Sequence, residues 1–168
     1  MRIRKAHIDE IETIDLIYEN ARKYMCTHGN PTQWIHGYPS KDIIKHDILD
    51  GGMYVVEIMN AIEGVFYFQK GPDSTYDKIE NGHWLNEKQY EVVHRVASAM
   101  NKKRMGDLII QYCQSKSDNI RIDTHVDNRP MQNMLERNGF RHVGTIYLED
   151  GSPRMAYHWY KHCNMNQN

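Results

Sequence analysis

The sequence predicts a mixed, twisted α/β fold, a sheet of about seven strands with helices on both faces. Three observations predict it. Apolar residues recur at helical steps in some segments and alternate at strand period in others. These segments follow one another in the order β-α-α-β-β-β-α-β-α-β-β. The central strand–helix–strand passage requires parallel pairing through a right-handed crossover, whereas closely spaced strands toward either end favour antiparallel hairpins.

The elements run as follows. "RIRKA" (2–6) alternates as a first strand. Asp9 is placed to cap a helix, with Glu12 completing a capping box. Ile11, Ile14, Tyr18, Ala21 and Met25 form that helix's apolar face, and Gly29 and Pro31 stop it. "GNPTQWIHGYPS" (29–40) is an aromatic-bearing loop, after which Ser40 caps a short helix to about Leu49, ended by Gly51-Gly52. "MYVVEI" (53–58) and "IEGVFYF" (62–68) read as a hairpin. A long polar loop, "KGPDSTYDKIENGHWLNEKQ", precedes the strand "YEVVHRVAS" (90–98). "MNKKRMGD" (100–107) leads into a helix marked by Met105, Leu108, Ile109, Tyr112 and Cys113. "IRIDTHV" (120–126) alternates as a strand. Asp127 or Asn128 caps a helix carrying Met131, Met134 and Leu135, closed by Asn138-Gly139. "RHVGTIYLEDGSPRMAYHWY" reads as a terminal hairpin around Asp150-Gly151.

The 168 residues suit one domain spanning 1–168. Hydrophobic residues make up 40%, charged residues 26%, and the net charge is −1, which argues against nucleic-acid binding. No apolar run is long enough for a membrane span, and the N-terminus has no apolar signal core. Cys26, Cys113 and Cys163 are an odd number without CxxC spacing, as expected in a reducing cytoplasm. The ten histidines are dispersed, with only His158 and His162 four apart, so no metal is expected. No GxSxG elbow is present.

At "GNPTQW" with "GYPS", "GPDSTYDKIE", "HRVAS", "IRIDTHVDNRPMQNMLERNGF" and "YLEDGSPRMAY", and in element order over roughly residues 1–160, the chain resembles the GNAT N-acetyltransferase superfamily. Within it, the chain is similar to a subgroup of small bacterial members. The resemblance implies a V-shaped splay between the strands at 90–98 and 120–126. It implies acetyl transfer from acetyl-CoA to a primary amine of a small molecule, amino acid or peptide, by direct attack in a ternary complex. Pantetheine is expected along the backbone of Val96, Ala97 and Ser98. The pyrophosphate is expected on Asn101, Lys102, Lys103, Arg104, Met105 and Gly106, where a helix N-terminus favours an anion. The family's turn reads Gln/Arg-x-x-Gly-x-Gly/Ala. Here Gly106 matches the last position, Arg104 replaces the first glycine, and Asn101 leads. If position 104 needs a positive φ, an L-residue there costs about 1–2 kcal/mol. Asp107 is expected to repel a pyrophosphate, opposed by Lys102, Lys103 and Arg104. A solvated basic loop is the alternative reading of this stretch.

The tyrosine that many members use to protonate the departing thiolate is replaced by Leu135 or Met134. His94 and His125, one on each side of the splay, are the candidate proton-transfer groups. Strand alternation places Asp123 on the face of His125, to orient it or to pair with Arg121. Asn128 is expected to cap its helix and is compatible with pantetheine contact. Gln33, Trp34 and Tyr38, with Trp84 and Tyr76 from the long loop, are the candidate acceptor-binding residues. Tyr157, Trp159 and Tyr160 either present a homodimer surface or complete the core. A divergent, non-catalytic member acting as a ligand sensor or interaction module is the alternative to an enzyme.

Overall fold

The computed structural model describes residues 1–99 and 104–161. The strands are β1 (Arg2–Lys5), β2 (Met53–Ile58), β3 (Ala61–Lys70), β4 (Glu91–Ser98), β5 (Asn119–Thr124), β6 (Arg141–Tyr147) and β7 (Pro153–Tyr160). The helices are α1 (Ile11–Thr27), α2 (Lys41–Leu49), α3 (Met105–Lys116) and α4 (Arg129–Arg137). The element order matches the sequence expectation. One sheet has the order β1-β2-β3-β4-β5-β7-β6. Only β4 and β5 pair in parallel, through the α3 crossover; the other neighbours are antiparallel. No helix of the described residues is long and apolar enough to cross a membrane.

Side-chain alternation sorts the sheet into two cores. On one face Val55 and Val65 meet Ile14, Ile17 and Tyr18 of α1 and Ile44 of α2. On the other, Val56, Phe66, Val93, Ile120 and Ile122 meet Ile109, Ile110, Cys113, Met134 and Leu135 of α3 and α4. The adjacent pairs Val55/Val56 and Val65/Phe66 are therefore buried on opposite sides, as a strand covered on both faces requires.

The long loop before β4 folds back to build a third core. Tyr76, Trp84 and Tyr90 pack on Val92, Ile146 and Ala156. Glu80 bridges to Thr145 of β6. Gly82 permits this approach, because a Cβ there would lie 1.9 Å from the Val143 carbonyl oxygen.

Several local expectations change. Asp9 does not cap α1. It lies in a short 3₁₀ turn, Ile8–Glu10, where Glu10 Oε2 accepts the His7 N–H at 2.7 Å. β5 ends at Thr124, one residue before His125. Tyr157 is fully buried in the α3/α4 core, so the terminal hairpin completes the fold.

Buried His158 tests this packing. Its Nδ1 accepts the Leu85 N–H at 3.0 Å and its Nε2 lies 2.8 Å from Asn119 Oδ1, which fixes a neutral ring. Burial, helped by the Arg121 charge, pushes its pKa from 6.5 to about 4. The unfolded chain thus takes up a proton near pH 6.5 that the native ring refuses until about pH 4. This contribution is fully present above pH 6.5 and is lost as the pH falls toward 4. Urea unfolding at stepped pH is expected to show a one-proton slope across that window, absent in His158→Gln.

Candidate active site

β4 shapes the site. Its register against β3 runs from Val65↔Ala97 to Tyr67↔His94, so Arg95 and Val96 together oppose Phe66. This is a bulge, with Arg95 at φ 53. A bulge bends its strand and increases local twist. Accordingly β4 pairs with β5 only at Glu91↔Ile120 and Val92↔Arg121. Beyond those pairs the strands part around a cleft of about 1070 Å³, lined by Val93, His94, Arg95 and Val96 on one side and Ile122, Asp123 and Thr124 on the other. This is the expected splay.

The bulge is anchored from α1, α2 and the loop between them. The Arg95 guanidinium pairs with buried Asp47 at 2.7 Å and donates to the Tyr38 hydroxyl at 3.0 Å. It also lies 4.7 Å from the Tyr67 ring centre. The Tyr18 hydroxyl donates to the Arg95 carbonyl at 2.8 Å. Burial alone would lower the guanidinium pKa, but Tyr38 and Asp47 outweigh it and hold it raised. Burial raises the Asp47 pKa, against the pull of Arg95.

His94 stands between two carboxylates. Its Nε2 is 2.8 Å from Asp73 Oδ2 and its Nδ1 is 3.8 Å from Asp123 Oδ1. Asp73 also accepts the Thr75 N–H at 2.9 Å and hydroxyl at 2.6 Å. Burial would raise the Asp73 pKa, but the bonds from His94 and Thr75 reverse this and push it down to about 2. An ionised carboxylate only accepts, so it places the imidazole proton on Nε2 and leaves Nδ1 open toward Asp123. The buried Tyr76 hydroxyl donates to Asp123 Oδ1 at 2.7 Å. Burial and then Asp123 raise the Tyr76 pKa well above its usual value, so it remains a donor.

The other expected site residues divide. Gln33 Oε1 accepts from Asn30 Nδ2 at 2.7 Å and Asn128 Nδ2 at 2.8 Å, tying the 29–40 loop to α4. Asn128 Oδ1 accepts the Met131 N–H at 3.2 Å, the expected helix cap. Trp34 packs edge-on against Tyr18 and Tyr38, at 5.7 and 6.4 Å, while still lining the cleft. His125 also lines the cleft. Its Nδ1 accepts the Asp127 N–H at 3.1 Å, and its Nε2 is 3.3 Å from Thr32 Oγ1. Burial and then the Arg154 charge lower its pKa, keeping the ring neutral.

Asp123 therefore faces His94 and Tyr76, not His125, because β5 ends before His125. Nor does it pair with Arg121, whose guanidinium lies between the Trp84 and Tyr90 rings at 4.3 and 4.0 Å. Trp84 does not wall the cleft. The long loop folds it into the third core, where its Nε1–H donates to the Tyr76 carbonyl at 3.0 Å. Of the two candidates for the family's tyrosine position, Leu135 is fully buried and Met134 nearly so. Asp73 was missed, although its Asp-Ser-Thr turn carries a readable signal. Arg95 and Asp47, in a strand and a helix, carry none.

At the α3 N-terminus, Arg104 has φ 65, the left-handed conformation that a glycine adopts freely. Asn101, Lys102 and Lys103 lie outside the described residues. Asp107 is held in an ion pair. It is gripped by Arg137 at 2.7 Å through both oxygens and by Asn138 Nδ2 at 2.7 Å, and the Arg137 bond, chiefly, lowers its pKa. The Met105 side chain is buried in the core, so only its backbone is available to a cofactor, and Ala97 is likewise buried. Gly106 lies against Met134, at 3.4 Å from where a Cβ would stand. His46, Asp47 and Asp50 bring three ligand atoms within 4.8 Å of one another. Their carboxylates are already engaged, by Arg95 and by the Tyr67 hydroxyl.

A seven-stranded sheet with a bulged β4 parting from β5 is the arrangement that the resemblance to acetyl-CoA-dependent transferases implies. Comparison with solved structures agrees. An acetyltransferase of the GNAT family from Streptococcus agalactiae is 30% identical, with 96% of each chain covered and a TM-score of 0.88. One from Listeria monocytogenes is 19% identical, covering 95% of this chain and 94% of that one, with a TM-score of 0.72. The NatC complex bound to Gag peptide and CoA shares the fold, at 11% identity, 96% and 98% coverage and a TM-score of 0.62. No family model matches the sequence, and no curated protein does. The chain belongs to the GNAT family of acetyltransferases.

Relieving Arg104 of its left-handed conformation is worth about 1 kcal/mol, part of which the freer unfolded chain of a glycine variant takes back. Arg104→Gly is therefore expected to raise the unfolding free energy slightly, by roughly 0.5 kcal/mol, in a urea titration.

Proposed function

We propose that the chain transfers an acetyl group from acetyl-CoA to a primary amine in a ternary complex, with His94 as the base. The observation that carries this is the meeting of His94 Nδ1 and Asp123 Oδ1, 3.8 Å apart across the mouth of the splay. One ammonium can donate to both. Asp73 holds the imidazole in the tautomer that presents a lone pair there. The fold supports acetyl-CoA as cosubstrate, since a GNAT-fold complex has been solved with CoA bound.

In this reading pantetheine pairs with the backbone from Val96 to Ser98, and the pyrophosphate rests on the α3 N-terminus at Arg104, Met105 and Gly106. Asp107 opposes it less than a lone carboxylate would, because the paired Arg137 guanidinium offsets its charge. His94 Nδ1 removes the ammonium proton, and the amine nitrogen attacks the thioester carbonyl. A backbone N–H near Val96 stabilises the oxyanion. The C–S bond then breaks, the CoA thiolate leaves and takes the proton from the imidazolium, and the second proton on the attacking nitrogen is released to solvent as the amide forms. His125, held neutral and pinned by Asp127, positions the cleft wall. Gln33, Trp34 and Tyr38 shape the acceptor side.

Acetyl-CoA and CoA are each expected to raise the melting temperature, by an amount equivalent to about 2.7 kcal/mol at a hundredfold excess over Kd. No shift at millimolar concentration would contradict the assignment. With turnover established by thiol release, His94→Gln is expected to lower kcat/KM on the order of a hundredfold and remove the acidic limb of its pH profile. An unchanged limb removes His94 from the mechanism.

A further inference from the structure

We propose that the acceptor is a free amino acid, whose carboxylate is bound by Arg154. This rests on the acetyl-transfer reading above and specifies its substrate. Arg154 opens β7 opposite Ile146 and lines the same cleft as His94 and Asp123. It is only 7% exposed. Its Nη1 donates to the Pro153 carbonyl at 2.9 Å and the Ser152 hydroxyl at 3.3 Å, and its Nη2 reaches the Gln33 carbonyl at 3.4 Å. All three acceptors are neutral, and the last contact is long for a hydrogen bond. Among the described residues no carboxylate pairs with it. The neighbouring Asp150 is occupied by the Ser152 N–H at 2.9 Å and hydroxyl at 2.6 Å.

A guanidinium withdrawn this far from water normally has an anion beside it. Arg95, the half-buried arginine of the cleft, has Asp47 at 2.7 Å. Arg154 has an open cleft instead. Its planar fork matches a carboxylate, which would replace the weak Gln33 contact with two charge-assisted bonds. The cleft therefore has two poles. His94 and Asp123 receive an ammonium group, and Arg154 receives a carboxylate. A free amino acid carries both groups on one small molecule.

The test measures thiol release from acetyl-CoA with free L-amino acids, their α-amides and the corresponding decarboxylated amines. The best amino acid is expected to exceed its amide in kcat/KM on the order of tenfold or more. In Arg154→Gln the ratio falls toward one, and Arg154→Lys restores part of it, as a charge without the fork. Equal kcat/KM for acid and amide in the native protein, or an unchanged ratio in Arg154→Gln, overturns the proposal. Thermal unfolding with CoA present gives the same answer without turnover. Amino acids should raise the melting temperature of the native protein more than their amides do, and not that of Arg154→Gln. If no acceptor releases thiol and this difference persists, the carboxylate site stands and the acetyl-transfer reading fails. If Arg154→Gln does not fold, the acid-to-amide difference in the native protein, with Arg154→Lys, decides; equal shifts overturn the proposal.

Discussion

The bulge at Arg95 is the constraint on which the rest of the structure depends. A parallel pair would ordinarily continue its ladder along the full strand. Here the ladder stops after Val92↔Arg121, because the strand behind it turns. The turn puts a non-glycine residue in the left-handed region, a cost that the surrounding contacts must offset. Tyr18, Tyr38, Asp47 and Tyr67 all grip Arg95. Those groups come from α1, the following loop, α2 and β3. The helices on that face thus do more than cover the sheet; they hold a cleft open between its two central strands.

The same bend fixes the chemistry. It aims His94 at the gap, where a loop carboxylate sets the tautomer on one side and a β5 carboxylate waits on the other. Tyr76 supports Asp123 from the third core, so the long loop contributes both Asp73 and Tyr76 to one imidazole. At the α3 N-terminus, Arg137 pairs with the ionised Asp107 and offsets its charge. What reads as an added repulsion in the sequence becomes an internal ion pair in the fold.

The sheet was legible because its pattern is local. Alternation in "MYVVEI", helical spacing in α1 and the turn residues of the hairpins each act within a few positions. The parallel crossover followed from chain order alone. The site was only partly legible. His94 and Asp123 were visible as polar residues in strands, but their pairing was not, because register and strand ends decide which side chains meet. Asp123 was matched to His125 by alternation that ends one residue too early. Asp73 lies 21 residues from His94 and joins it only through the folded loop. Trp84 read as a wall of the acceptor pocket and is instead core, since nothing local shows that a loop will fold back. Arg104 shows the converse: the missing glycine was legible, and the structure gives that position the backbone of a glycine.

The most direct measurement is a crystal structure of the chain with CoA bound. It should show pantetheine in the gap between β4 and β5, bonded to the backbone between Val96 and Ser98, with its thiol facing the space between His94 and Asp123. Pantetheine bound outside the gap, or a β4–β5 ladder that closes past Val92, would contradict it.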